Sequence, residues 1–276
     1  MYAQVHAVGE NVKDFQPGDR VAGYAFGGEG AYQEYTPIRT GGIVTIAHRT
    51  TFVEGALLPM AVATSGVALF LKMGIPWGTQ LSPQNGIFLV HGASTSVGSA
   101  AVQIANILGF EVYATAGEKN QEYVKQLGAS EVWDHRDTAL VEKIISAAAG
   151  RGIKYGFAAA SLNGASQVVA KALSGANTGK DLKAQLCVTT PWDEKVAVPQ
   201  GIEITQTRAS AAITDNNEFG VWLFNTFLKE KLENGEYVPS PRIEIVTGGL
   251  ETGVSNALDR YANGVSATKI IVPLIQ

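Results

Sequence analysis

Apolar runs of strand length alternate along most of this chain with segments whose apolar positions recur every three or four residues. Ile87-Phe88-Leu89-Val90 is an unbroken apolar run that enters a small-residue segment, Gly92-Ala93-Ser94-Thr95-Ser96-Val97-Gly98. Val97, Ala101, Ile104 and Leu108 then repeat at helical spacing until Gly109, which predicts a helix over 97–108. The same texture predicts a strand over 111–114, a helix over 120–127 closed by Gly128, and a strand over 131–133. It continues with a helix over 138–148, a strand near 155–159, a helix near 165–173 and a strand near 184–188. Strands apolar on both faces belong to the middle of a parallel sheet, and their crossovers are right-handed. The expected fold is therefore α/β, a doubly wound parallel sheet with helices on both faces.

The two ends of the chain read differently. Between Val5 and Val44, short apolar or aromatic runs such as Arg20-Val21-Ala22-Gly23-Tyr24 are separated by Pro17-Gly18-Asp19, Gly27-Gly28 and Gly41-Gly42, which suggests part of a small antiparallel barrel. After a helix near 219–232, two strand-like runs, Arg242 to Val246 and Lys269 to Leu274, flank another helix. These are expected to return to the N-terminal lobe, giving one lobe of residues 1–55 plus 240–276 and a second of residues 56–239. The longest apolar stretch, Gly55 to Leu71, holds Pro59, Thr64, Ser65 and Gly66 and falls short of the roughly 20 residues of a membrane span, so a buried helix is expected.

Composition narrows the ligand. With 276 residues, 46% hydrophobic, 17% charged and 31 glycines, the chain has the make-up of a turn-rich globular protein with room for two lobes. A net charge of −4 offers no basic surface to nucleic acid or anionic membrane, so a small-molecule substrate is expected. Cys187 is the sole cysteine, which forbids an intrachain disulfide and suits a reducing compartment. No charged opening followed by an apolar core reads as a signal peptide, and the expected location is cytoplasmic. The histidines, His6, His48, His91 and His135, lack ligand spacing, so no protein-bound metal is expected.

A strand, a small-residue turn and a helix in succession present unpaired N–H groups and a favourable dipole to a phosphate. Counted back from Gly98, Ala93 and Thr95 stand where G-x-G-x-x-G has glycines, while Ser94, Thr95 and Ser96 add hydroxyls for phosphate oxygens. A ligand-free turn is the competing reading. An acidic residue for the ribose of NADH is expected about 20 positions on. That position falls on Gly117, close to Lys119, which favours the 2′-phosphate of NADPH, although Glu118 opposes it and Lys119 also reads as an exposed first-turn lysine. Gly92-Ala93-Ser94-Thr95-Ser96 approaches the G-x-S-x-G elbow of hydrolases, but His135 is the only later histidine and has no partner acid in order. No tyrosine has a lysine four residues on, which excludes the Tyr-x-x-x-Lys pair of short-chain reductases.

Several segments taken together resemble the medium-chain dehydrogenase/reductase superfamily. They are Val12-Lys13-Asp14-Phe15-Gln16-Pro17-Gly18-Asp19-Arg20-Val21, Gly30-Ala31-Tyr32-Gln33-Glu34-Tyr35, Leu58-Pro59-Met60-Ala61-Val62-Ala63-Thr64 and the turn from Ser94 to Gly98. Leu127-Gly128-Ala129 with Val132-Trp133-Asp134-His135-Arg136 is similar to the zinc-independent fungal branch of trans-enoyl reductases and quinone oxidoreductase-like proteins. The resemblance implies a Rossmann domain with a second, smaller, truncated GroES-like β-barrel lobe, since the chain opens part-way into the family's catalytic lobe.

It also implies NADPH as cofactor. Ser94, Thr95, Ser96, Val97 and Gly98 would meet the pyrophosphate, and Gly117, Lys119 and Asn120 the 2′-phosphate. His135 would stand where a family tyrosine packs on the adenosine, and Ser266, in Ser266-Ala267-Thr268-Lys269, would touch the cofactor from the other lobe. Thr64, Ser65 and Tyr24 are the candidate catalytic donors, with a cap or turn hydroxyl the competing reading for Thr64 and Ser266. The chain departs from the family at Tyr155-Gly156-Phe157-Ala158-Ala159, where an aspartate is usual, and at Thr95 and Ser96, where glycines are usual. The implied activity is reduction of an activated C=C or C=O, such as an enone, quinone, enoyl thioester or aldehyde. The alternative is a reductase fold repurposed for ligand binding or a non-redox step such as cyclisation. A homodimer through the sheet edge near Cys187 to Arg208 is expected by the same analogy.

Overall fold

A computed structural model describes residues 1–25, 30–31, 33–46, 50–78, 83–160 and 164–274. The chain forms two compact units, Met1–Ala63 with Ser210–Gln276, and Thr64–Ala209. In the first, β1 (Tyr2–Gln4), β2 (Arg20–Gly23) and β3 (Ile43–Thr45) make an antiparallel sheet over a small core of Phe15, Val21 and Ile43. A capping box between Thr51 and Glu54 starts the short α1 (Phe52–Gly55), and the Arg20 guanidinium lies over the Phe52 ring.

Helix α2 (Pro59–Gly66) carries the chain into the second unit and continues as a wider π-helical stretch through Val67–Lys72. The helical run Phe52–Lys72 is 21 residues and apolar enough to cross a membrane, longer than the apolar stretch read from sequence. Protein covers most of it: Leu58 and Val62 are buried in the first unit, Ser65, Val67 and Leu69 in the second.

The second unit is built on six parallel strands: β4 (Ile87–His91), β5 (Glu111–Thr115), β6 (Ala129–Trp133), β7 (Ile153–Ala158), β8 (Ala184–Val188) and β9 (Ile202–Gln206). Between them run α3 (Ser96–Ile107), α4 (Gln121–Gln126), α5 (Leu140–Ala148) and α6 (Ala165–Ala176). The strand order β6-β5-β4-β7-β8-β9 reverses direction at β4, the switch point beside which doubly wound sheets bind their ligands. The doubly wound expectation holds, and β9 is an addition to it. Its half-polar sequence, Ile-Glu-Ile-Thr-Gln, suits an edge strand with one covered face.

Beyond Ala209 the chain differs from the sequence expectation. The helices α7 (Ala211–Thr214), α8 (Asn217–Trp222) and α9 (Lys229–Asn234), with a π-helical stretch Leu223–Leu228, belong to the first unit and bury Phe219, Leu223, Phe224 and Leu228 there. The junctions therefore fall at 63/64 and 209/210 instead of 55/56 and 239/240, because an apolar helix face does not record which core it joins. Strands β10 (Arg242–Ile245) and β11 (Thr268–Ile271) pair in parallel, with α10 (Val254–Ala262) between them in sequence. Among the described residues, the first unit holds this pair and the three-stranded antiparallel sheet.

The end of α6 is fixed by Asn177, 8% exposed, whose Oδ1 accepts from Ile153 N (2.8 Å) while its Nδ2 donates to Ile153 O (2.9 Å). Replacing it with alanine orphans both backbone groups at the start of β7. Asn177→Ala is expected to cost about 2–3 kcal/mol, read as a lower urea midpoint with an unchanged slope.

Candidate functional site

The turn after β4 closes on itself. Thr95 is the N-cap of α3: its Oγ1 accepts from Gly98 N (3.0 Å) and donates to Gly92 O (2.9 Å). Its hydroxyl is thus used twice within the turn, as donor and as acceptor. A Cβ on Gly98 would lie 2.2 Å from Gly92 O and 2.7 Å from Ala93 Cα, so glycine alone fits there. Ser99 Oγ donates to Ala93 O (3.1 Å) and pairs with Tyr123 OH (2.9 Å), bracing the turn from α4.

What the turn leaves open is a row of donors. The amides of Ser94, Ser96 and Val97 have no partner among the described residues, and neither do the Ser94 and Ser96 hydroxyls. They stand at the N-terminus of a 12-residue helix, where the dipole favours an anion. These residues fit a pyrophosphate.

A second cluster forms beyond β5 and β6. Gly117 precedes a single 3-10 turn, Glu118–Asn120, and Glu118 N donates to Asp134 Oδ2 (3.2 Å). Arg136 grips both oxygens of Asp134 (3.0 and 2.6 Å), which holds that carboxyl far below its usual range. Lys119 is exposed and has no ion pair among the described residues. Asn120 is 2% exposed, and its N–H closes the turn on Gly117 O (2.8 Å). The His135 ring stands beside Gly117, with Cε1 3.6 Å from where a Cβ would be. Sequence reasoning missed Arg136, three residues past the end of β6, as the partner of Asp134.

It also missed His91. This residue ends β4, is 7% exposed, and its Nδ1 lies 3.0 Å from Thr115 Oγ1. Burial, and after it the charge on His135, pushes its pKa down to about 4.

The candidate catalytic donors are placed differently from expectation. Ser65 is fully buried and donates to Val97 O (2.8 Å), tying α2 to the first turn of α3, so its hydroxyl proton is engaged within the fold. Thr64 is half-buried, and its carbonyl accepts from Thr207 Oγ1 (2.8 Å). In the first unit Tyr24 is 4% exposed, 6.0 Å from the Phe224 ring, and burial raises its phenol pKa; an interior position does not suit a substrate donor. Ser266 is exposed, and its carbonyl accepts from Thr268 Oγ1 (3.0 Å) beside Ala267, a residue with φ of +50° where the family turn has glycine.

Among the described residues no three His, Cys, Asp or Glu side chains come together, so they do not fit a zinc ion; His48 lies outside them. Cys187 is buried in β8, and burial pushes its thiol up to about 11.

Residues 96–179 match the zinc-binding dehydrogenase family. The trans-enoyl reductase tndF of Aspergillus flavipes is 35% identical over 266 residues, 94% of this chain and 76% of that protein. The dehydrogenase pigH of Monascus ruber is 32% identical over 302 residues, 98% of this chain and 81% of that one. The chain belongs to the medium-chain dehydrogenase/reductase superfamily. The crystal structure of CurK enoyl reductase shares the fold, with a TM-score of 0.72 at 22% identity over 99% of this chain and 77% of that one.

Two outcomes follow for this dehydrogenase/reductase. Gly98→Ala must push the turn apart against backbone and is expected to cost at least about 3 kcal/mol, read by thermal unfolding, whereas Ser94→Ala leaves the midpoint nearly unchanged. His91 must stay neutral in the fold while the unfolded chain takes up a proton near 6.5, so the unfolded state binds more protons between the two values. Stability is expected to fall as pH drops from 6.5 towards 4, and His91→Gln should flatten that slope in urea titrations at pH 7 and pH 5.

Proposed function

We propose that this chain is an NADPH-dependent oxidoreductase that reduces an activated C=C or C=O without zinc. The observation that carries the reading is the pair of anion-seeking features: open amides at Ser94, Ser96 and Val97, and the unpaired Lys119 beside Gly117. Asp134, which accepts from the Glu118 amide, is neutralised by Arg136, and Lys119 is the cation proposed to meet a 2′-phosphate, turned away from the neighbouring Glu118 carboxylate. Sequence similarity to a trans-enoyl reductase supports the redox assignment and an enone or enoyl thioester as substrate class.

The bound cofactor would supply a hydride to the electrophilic carbon. The chain's part is to hold the pyrophosphate at Ser94 to Val97, to seat the adenosine end by Gly117, Lys119 and His135, and to stabilise the oxygen on which negative charge develops. Thr64 is the remaining candidate for that last role. The outer edge of β9 is open in the six-stranded sheet, and its pairing with a second copy is the proposed route to a homodimer.

Fluorescence titration of the protein with NADPH and NADH tests the cofactor. NADPH is expected to bind more tightly, and Lys119→Ala to weaken NADPH about tenfold while leaving NADH unchanged. No fluorescence response and no thermal shift with NADPH would sink the reading. Oxidation of NADPH by an enone, quinone or aldehyde panel then identifies the substrate class.

A further inference from the structure

His91 carries a donor that the fold does not use. Gly92 N donates to Thr115 Oγ1 (3.2 Å), so the Thr115 hydroxyl has its own proton to give, and His91 Nδ1 lies 3.0 Å away to receive it. With Nδ1 accepting, the proton of the neutral ring sits on Nε2. No described residue accepts from Nε2. Three side-chain atoms of the described residues are both fully buried and unpartnered, Gln167 Oε1, Gln185 Oε1 and Thr205 Oγ1. His91 Nε2 is not among them, so this unpartnered atom of a largely buried residue, at the C-terminal end of β4, is not fully sealed.

The surroundings choose the kind of acceptor. The His135 ring stands nearly perpendicular at 6.5 Å, the side-chain-free Gly117 adjoins His135, and the open amides of Ser94, Ser96 and Val97 follow His91 along the chain. In the dinucleotide reading those amides are assigned to the pyrophosphate. Burial and the neighbouring imidazole keep His91 uncharged, which disfavours a phosphate partner and suits a neutral one.

We propose that His91 Nε2 donates a hydrogen bond to an uncharged acceptor of an adenine nucleoside, a ribose oxygen or a ring nitrogen, seated at the ends of β4, β5 and β6. The inference rests on the dinucleotide reading above and assigns its adenosine half a specific donor. His91 is then a binding residue that also orders Thr115 and through it the first amide of the turn.

Calorimetry with adenosine 2′,5′-bisphosphate, which lacks the nicotinamide half, tests this beside NADPH. His91→Phe removes the donor and keeps an aromatic ring; it is expected to weaken both ligands about tenfold, whereas His91→Gln, which keeps an N–H at that reach, stays within about threefold of the native protein. Equal binding by native protein and His91→Phe overturns the assignment while leaving the dinucleotide reading intact. Failure of the native protein to bind NADPH overturns that reading and this one with it. Should His91→Phe not fold, nitrogen-15 histidine spectra of the native protein decide: a shift of the His91 Nε2 resonance on adding the bisphosphate supports the proposal, and an unmoved resonance with ligand bound refutes it.

Discussion

The contact between Gly98 and Gly92 is the constraint around which the second unit is arranged. The first turn of α3 can approach the end of β4 only because residue 98 has no side chain, and that approach lets Thr95 cap the helix and bond back to Gly92. Closed in this way, the turn satisfies Gly98 N internally and leaves the amides of Ser94, Ser96 and Val97 facing outward. A looser turn would let water or side chains take those amides. The anion site proposed here rests on what the backbone is prevented from pairing with.

Hydroxyls do the bracing. Ser65 holds α2 to Val97, Thr207 holds Thr64, Ser99 holds Ala93, and Thr115 joins the Gly92 amide to His91. Each is a side chain bonded to a backbone group or to a buried ring, and each fixes a segment next to the turn. Such bonds contribute about 1 kcal/mol apiece, but an unmade one inside the protein costs more, so they specify geometry more than they add stability.

Much of this was legible in the sequence where one residue type has one physical use. Apolar strands β4, β5, β7 and β8 declared a parallel sheet, and the Ser94 to Gly98 turn declared itself through its place between strand and helix. Edge strand β9 escaped because one exposed face dilutes its apolar pattern. The junction near 209 escaped because the apolar residues of α8 and the stretch after it look the same whichever core they fill. Ser65 and Thr95 were recognised as polar residues at the right place but assigned outward roles, since sequence does not show that Val97 O and Gly92 O stand within reach. His91 at the end of an apolar strand reads as core, and only its single unused nitrogen distinguishes it.

The sealed thiol of Cys187 has a chemical consequence. Thiolates are the side chains that add most readily to electrophilic alkenes and quinones, and this chain's one thiol lies fully buried in β8 with its pKa pushed up to about 11. At neutral pH it is a protonated, enclosed sulfur, a filler of volume with no nucleophilic character. Alkylation at this cysteine therefore requires the fold to open around β8 first.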